Sequence, residues 1–351
     1  MDAARGDPVS VQLLAEHHEP GLSLFVVGER ASVDRPANGG LRLLRYASVD
    51  DAHDEAFMLA SRMTDKHRLY RTGFAGAKLV AHTQERFEVI KPRLFDVVAG
   101  VLSDLGGTVY TGCDLNVTAD DAVSLARRTP YVLAGIASPV DTSAATGHGV
   151  VGSLLAASHH RLQLGKAPVR SVLVHGIGAV GRVVATSLRD AGFAVHTTDV
   201  EPSRARVPGC VPVDVSRALR VPVDAFALCS ISGLVGTKDV SMMRCELVVS
   251  GANGPFRSED AETALRRRGV TVVPDAMSNA GAVIVDSIER YNALGWRHAD
   301  PTSVYRFVRH SIATRTLAHL RASEVPTAYG LDDAPCGVDY VPAFAAHPES
   351  A

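Results

Sequence analysis

The 351-residue chain has only five cysteines, Cys113, Cys210, Cys229, Cys245 and Cys336, and no two of them form a C-x-x-C pair. That scatter excludes a disulfide framework and a cysteine zinc site, and it points to a reducing compartment. No stretch reaches the roughly 18 apolar residues that a bilayer span requires. The opening MDAARGDPVSVQLLAEHHEPG lacks the basic-then-apolar order of a secretory signal, so the expected location is the cytoplasm. Net charge is only −2, with no long run of one sign, which argues against nucleic acid or an anionic membrane as a partner. Histidines number 14, yet there is no H-E-x-x-H, and the adjacent His159 and His160 point to different faces of a helix, so no metal site is expected.

What is present suits a soluble enzyme of two domains, since typical domains run to about 100–200 residues. Residues 10–46 contain LSLFVVGE and GLRLLRYAS, apolar runs broken by turn chemistry that read as β-strands. A helix is expected from Asp50 to about Thr64, ending at Lys66. TGFAGAKLVAHT reads as a glycine-containing loop entering a strand, ERFEVIKPRLFDVVAGVLSDLGG as a helix, and TVYTGCDLNVT as a strand with a polar end. GVVGSLLAASHHRLQ, from Gly147, reads as a crossover helix. Strands are expected again at VDAFALCS, CELVVSGAN and VTVVPDA, and long helices over 283–322.

The strongest single signal is VLVHGIGAVGRVVATSLRDAGFAVHTTDVEP, residues 172–202. Gly176, Gly178 and Gly181 form G-x-G-x-x-G in a strand–turn–helix–strand context, and Asp199 closes the second strand about 20 residues on. Gly176 allows the tight turn. Gly178 lets the backbone approach a pyrophosphate, with Ala179 and Val180 opening the helix, and Gly181 packs helix on strand. An acid at Asp199 suits the ribose hydroxyls of NAD, while Arg204 just beyond leaves room for the extra phosphate of NADP.

A catalytic domain before this unit would carry reactive groups facing a cleft between the two. Lys66 in MTDK, Lys78 after GFAGA, and Asp114 at the end of TVYTGCD stand out. Small residues before a lysine let its ammonium be packed and partly desolvated, which lowers its pKa toward the range of acid–base work. Each taken singly also fits a solvated surface residue.

Together these residues resemble the amino-acid dehydrogenases of the glutamate/leucine/phenylalanine/valine group, over most of the chain and closest to the leucine/phenylalanine type. NGGLRLLRYASVDDAHDEAFMLASRMTDK (38–66), GFAGAK and TGCD look like that family's glycine-pair strand with substrate lysine, lysine loop and aspartate strand. AATGHGV (144–150), SGANGP (250–255) and SNAGAV (278–283) resemble its interdomain segment and two asparagine motifs. The resemblance implies an N-terminal α/β substrate and oligomerisation domain (1–145, joined by helices of about 290–351), a cleft, and a doubly wound Rossmann NAD domain (146–289). It implies that Lys66, with the Gly39 and Gly40 backbone, binds a substrate carboxylate, that Lys78 polarises a carbonyl or activates water, and that Asp114 moves the amine proton. Thr146, Ser230, Asn253 and Asn279 would contact the cofactor, Asn279 the substrate as well. The implied reaction is NAD-dependent deamination of an L-amino acid to a 2-oxo acid and ammonia, or its reverse, by a homodimer or larger oligomer.

Several positions depart from the pattern. Ala75 and Ala77 stand where the family loop carries glycine, and HRLYR (67–71) replaces small or apolar residues and reads as facing solvent. Asn38 and Asp286 fall where the leucine-type enzymes clasp an apolar side chain. A buried carboxylate requires a polar or cationic partner, either from the substrate or from an arginine of this chain. Two other readings stand beside the first: reduction of an imine or ketone without ammonia on the same scaffold, and a catalytically silent NAD-binding protein.

Overall fold

A computed structural model describes residues 10–136 and 138–322. The stretch 323–351, with Cys336 and the last part of the expected C-terminal helices, lies outside the described residues. Among the described residues two compact units are present, one made of residues 10–136, Ser138 and Asp286–Arg297, the other of Pro139–Val285 and His298–Ala322.

In the first unit, β1 (Gln12–Glu19), β2 (Leu22–Gly28), β3 (Ala37–Leu44), β4 (Ala75–His82) and β5 (Val109–Cys113) form a mixed sheet in the order β1-β2-β4-β3-β5. β1 and β2 are an antiparallel hairpin turning at Gly21, whose φ of 80° favours glycine. β2 is antiparallel to β4, and β3 lies parallel to both β4 and β5. The period of two along each strand sorts the side chains. Leu22, Leu24 and Val26 of β2, Leu41 and Leu43 of β3, and Ala75, Ala77, Leu79 and Ala81 of β4 pack with α2 (Phe87–Asp104) through Ile90, Leu94 and Val98. On the other face Phe25, Val27 and Val80 pack with α1 (Val49–Tyr70) through Ala52, Ala56, Leu59 and Ala60. Burial on both faces explains why β4 reads as a continuous run rather than an alternation. α3 (Ala119–Ala126) follows β5 and starts on a Thr118–Asp121 capping box.

Three expectations change here. GFAGAK is not a loop, because Ala75–Lys78 form the first half of β4, where small side chains allow close approach to β3 and α1. α1 does not end at Lys66. It continues one more turn to Tyr70 and stops where Arg71 adopts φ 47° and its N–H reaches the Arg68 and His67 carbonyls. HRLYR therefore splits by helical phase. His67 and Tyr70 are buried, while Arg68 and Arg71 are exposed, and Arg68 pairs with Glu29 at 3.0 Å. β1 also carried no separate signal, since its residues are largely polar or partly exposed.

The second unit holds six parallel strands in the order β11-β10-β9-β6-β7-β8, which is the doubly wound pattern. They are β6 (Ser171–His175), β7 (Ala194–Thr198), the short β8 (Val211–Pro212), β9 (Ala225–Leu228), β10 (Leu247–Ser250) and β11 (Thr271–Val272). The order reverses between β6 and β9, the place where such sheets take ligands beyond their carboxyl ends. Helices α5 (Ala179–Asp190), α6 (Thr237–Val240) and α7 (Glu259–Arg267) connect strands, and α8 (Asp275–Ser278) follows β11. α4 (Thr142–Gln163) starts on an Asp141 cap, five residues before Gly147, so the Ala-Thr-Gly segment is helical. α9 (Gly281–Tyr291) crosses the division of the chain between Val285 and Asp286, and α10 (Ala293–Trp296) follows it. Among the described residues after Val285, Asp286–Arg297 belong to the first unit. α11 (Pro301–Ala322), expected there too, lies against α4 in the second, because Gly149 and Gly152 leave room for Ile312 and the Arg309 backbone. A hydrogen bond from Thr316 Oγ1 to Ser153 Oγ at 3.2 Å adds to that contact.

No described helix is long and apolar enough to cross a membrane.

Candidate active site

Asn38, Gly40 and Arg42 of β3 alternate onto the sheet face covered by α1, and so do Gly76, Lys78 and Val80 of β4, because Asn38 is paired with Gly76. The glycines are required by proximity. A Cβ at Gly39 would sit 1.7 Å from the Ala77 carbonyl oxygen, and one at Gly76 would sit 2.3 Å from Thr64 Oγ1. Ala75 and Ala77, the two departures from a glycine-rich pattern, face α2 instead, so their methyl groups lie in the core and away from Lys78.

Lys78 Nζ lies 2.6 Å from Asp114 Oδ2. Burial pushes the Lys78 ammonium down, reinforced by Arg42 and partly offset by Asp114. Burial acts to raise Asp114, but the charges and hydrogen bonds of Lys78 and Arg42 outweigh it and hold the carboxyl well below the usual carboxylate range. Arg42 Nε donates to Asp114 Oδ2 at 2.9 Å, and its Nη1 donates to Glu55 Oε1 at 2.7 Å. Arg42 and Glu55 were not singled out by any motif. The signal available was Arg42 itself, a charged residue among Leu41, Leu43 and Leu44, on the same strand face as Asn38 and Gly40. Lys66 is buried on α1, one residue before His67.

Asn38 and Asp286 come together. Asn38 Nδ2 donates to Asp286 Oδ2 at 2.8 Å, so the carboxyl's partner is an amide rather than an arginine. Burial, with Glu289 nearby, pushes the Asp286 carboxyl up to about 8. Glu289, raised to about 7 mainly by burial, accepts from the Gly135 and Ile136 N–H groups. His67 Nε2 donates to the Asn38 carbonyl at 3.0 Å while Nδ1 accepts from Thr72 Oγ1 at 2.7 Å. Burial lowers the ring to about 3, so it remains neutral and holds the backbone of Asn38. Ser287 Oγ and Tyr291 Oη donate to the Thr72 and Gly73 carbonyls, tying the end of α9 to the loop before β4.

In the second unit Gly176 has φ 91°, and a Cβ at Gly181 would lie 1.8 Å from the Gly176 carbonyl oxygen. Gly178 caps α5 without any side-chain hydrogen bond, and a Cβ there would meet nothing within 4 Å. Gly178 and Ala179 are exposed at the start of α5, whose first N–H groups have no intrahelical partner, an arrangement that fits a phosphate. Asp199 follows β7, and its Oδ2 accepts from Ile177 N at 2.6 Å, which fixes the carboxylate beside the turn. Ser230 Oγ lies 3.1 Å from His175 Nδ1 at the reversal of strand order. Asn279 Nδ2 donates to Asn253 Oδ1 at 3.1 Å, and the buried Asn279 Oδ1 has no hydrogen-bond partner. Thr146 Oγ1 bonds Thr142 O and accepts from Ala282 N, joining α4 to the start of α9.

The family description "Glutamate/Leucine/Phenylalanine/Valine dehydrogenase" matches residues 201–324. A phenylalanine dehydrogenase of Thermoactinomyces intermedius is 27 % identical over 292 residues, 80 % of this chain and 79 % of that one. A leucine dehydrogenase of the same organism is 26 % identical over 289 residues, 80 % and 78 % of the two chains. The chain is similar to the glutamate/leucine/phenylalanine/valine dehydrogenases, through a family match over part of its length and through relatives at 26–27 % identity over most of it. It is thus homologous to oxidoreductases that act on CH–NH2 groups. The fold agrees with that of L-tryptophan dehydrogenase from Nostoc punctiforme, with a TM-score of 0.69 at 22 % identity over 96 % of each chain. A glutamate dehydrogenase from Thermus thermophilus gives 0.72 at 19 % identity, covering 91 % of this chain and 83 % of its own.

Proposed function

We propose that this protein deaminates an L-amino acid oxidatively to its 2-oxo acid and ammonia, and runs the reverse reductive amination. The observation that carries this reading is the pair of buried Lys78 and half-buried Asp114 at 2.6 Å on a glycine-floored sheet face. Two adjacent groups with pKa values driven in different ways by burial and charge are what proton transfer at one carbon requires.

Lys66, with the Gly39 and Gly40 backbone, binds the α-carboxylate. Asp114, kept ionised by Lys78 and Arg42, accepts a proton from the substrate amine. Lys78 takes a proton from the water that adds to the imine carbon, and its ammonium form then polarises the resulting oxygen. In the reverse direction the same groups return these protons. Gly176, Gly178, Ala179, Val180, Gly181 and Asp199 hold NAD, with Thr146, Ser230, Asn253 and Asn279 toward its nicotinamide. NAD supplies, when bound, the acceptor of the hydride from Cα. The acid at Asp199 favours NAD over NADP. The same resemblance implies an assembly of two or more copies, whose light-scattering mass would be a multiple of 37.1 kDa.

The test is NADH absorbance with amino acids plus NAD, and with 2-oxo acids plus NADH with and without ammonium. Ammonium-dependent oxidation of NADH is expected, and Lys78→Ala should lower kcat by about 10²–10⁴-fold, the usual range for a general acid–base group. Turnover that ignores ammonium would replace this reading with reduction of a ketone or preformed imine.

A further inference from the structure

We propose that Asn38 and Asp286 read the side chain of a cationic amino acid, one ending in an ammonium or guanidinium group, rather than the apolar side chain that the family pattern accommodates there. This rests on the amino-acid dehydrogenase reading above. The two residues share one bond at 2.8 Å, and the other oxygen of the amide, Asn38 Oδ1, is buried with no hydrogen-bond partner. A buried acceptor without a donor is costly, so it is retained where a ligand supplies the donor. Asp286 has the Asn38 amide as its hydrogen-bond partner. Among the described residues no lysine, arginine or histidine forms an ion pair with it, and its other near neighbour is the acid Glu289. Arg290, next in sequence to Glu289, is turned onto the rings of Tyr110 and Tyr291. Asn38 Oδ1 and the Asp286 carboxyl thus lie side by side with no cation bonded to either.

Its position suits a substrate side chain. Asn38 is in register with Gly76 and Tyr110, and Lys78 lies two residues further along the same face, a displacement of about 7 Å along a strand. Between them on β3 stands Gly40, without a side chain. A substrate with its amine at Asp114 and its carboxylate at Lys66 and the glycine pair has to send its side chain off that face, and an unbranched chain of four or five bonds spans about the distance to Asn38. Lysine and ornithine have that length and end in a donor with three protons. Ser287 Oγ→Thr72 O and His67 Nε2→Asn38 O hold the two elements in place, which preorganises the acceptors.

Initial rates with NAD should be measured for L-lysine, L-ornithine, L-arginine, L-leucine and L-phenylalanine on the wild type, Asp286→Val and Asn38→Leu. The expected wild type favours one of the cationic amino acids by at least tenfold in kcat/KM over leucine and phenylalanine. Asp286→Val should remove that preference and raise kcat/KM for leucine, which also shows that the variant is folded. Wild-type turnover of leucine or phenylalanine equal to or above that of every cationic amino acid overturns the inference while leaving the dehydrogenase reading intact. Absence of turnover with every amino acid and 2-oxo acid overturns both.

Discussion

Asp286 shows how much a single residue's meaning depends on what surrounds it. As a letter in VIVDSIERY it is an acid on an amphipathic helix; in the fold it hydrogen-bonds Asn38 and is raised to about 8 by burial. The same carboxyl titrates near 3.8 in an unfolded chain, so between those two pH values the folded protein holds a proton that the unfolded one has lost. Its contribution therefore makes the protein less stable as pH rises from about 4 to about 8, and is constant above that. Asp286→Asn has no such dependence. Chemical denaturation of the two proteins at pH 5, 6, 7 and 8 should show the Asn variant gaining on the wild type by an amount on the order of a few kcal/mol across the series, at about 1.4 kcal/mol per pKa unit. A pH-independent difference would mean that the carboxyl is not desolvated.

At the scale of elements, the turn from β6 into α5 separates a structural glycine from a functional one. Gly181 and Gly176 are constrained by protein: one touches the other's carbonyl, and Gly176 has positive φ. Gly178 is constrained by neither. Its φ is −76° and nothing stands within 4 Å of a Cβ built there. Gly178→Ala should leave stability within about 0.5 kcal/mol of the wild type, as for a substitution in open space. It should also weaken NADH binding, followed by fluorescence titration, by tenfold or more, because the methyl group occupies the approach of the pyrophosphate. Unchanged NADH affinity would place the dinucleotide elsewhere. This turn was legible in the sequence because its chemistry is local: four positions within one strand–turn–helix unit. β4 was less legible. Its residues look like a flexible loop until the sheet is formed, because alanine and glycine carry little strand preference and are chosen here for closeness to β3 and α1.

At the scale of the molecule each unit is filled, among the described residues, by its own apolar residues, around the β2-β4-β3 sheet in one and around β6, β9 and β10 in the other. Two cores invite departure from two-state unfolding. If NAD binds the second unit, as proposed, calorimetry with NADH at about 100 times its Kd should raise the transition of that unit by the equivalent of roughly 2.7 kcal/mol and leave the first unit's nearly unmoved. Equal shifts of a single merged transition would show that the units unfold as one.

Features set by neighbours along the chain were readable from the residues alone: the glycine turn and its acid, the helical and strand periods, the order of motifs, and through that order the resemblance to the dehydrogenases. Lys78 and Asp114 were nameable for the same reason. Features that depend on residues far apart in the chain needed the folded arrangement. It joined Asn38 to Asp286 across 248 positions, and Arg42 to Asp114 across 72. It turned Ala75 and Ala77 toward α2 and buried His67 beneath Asn38. The physical reason is that strand pairing and helix packing, not chain proximity, set which side chains share a face, and burial on that face sets their charge.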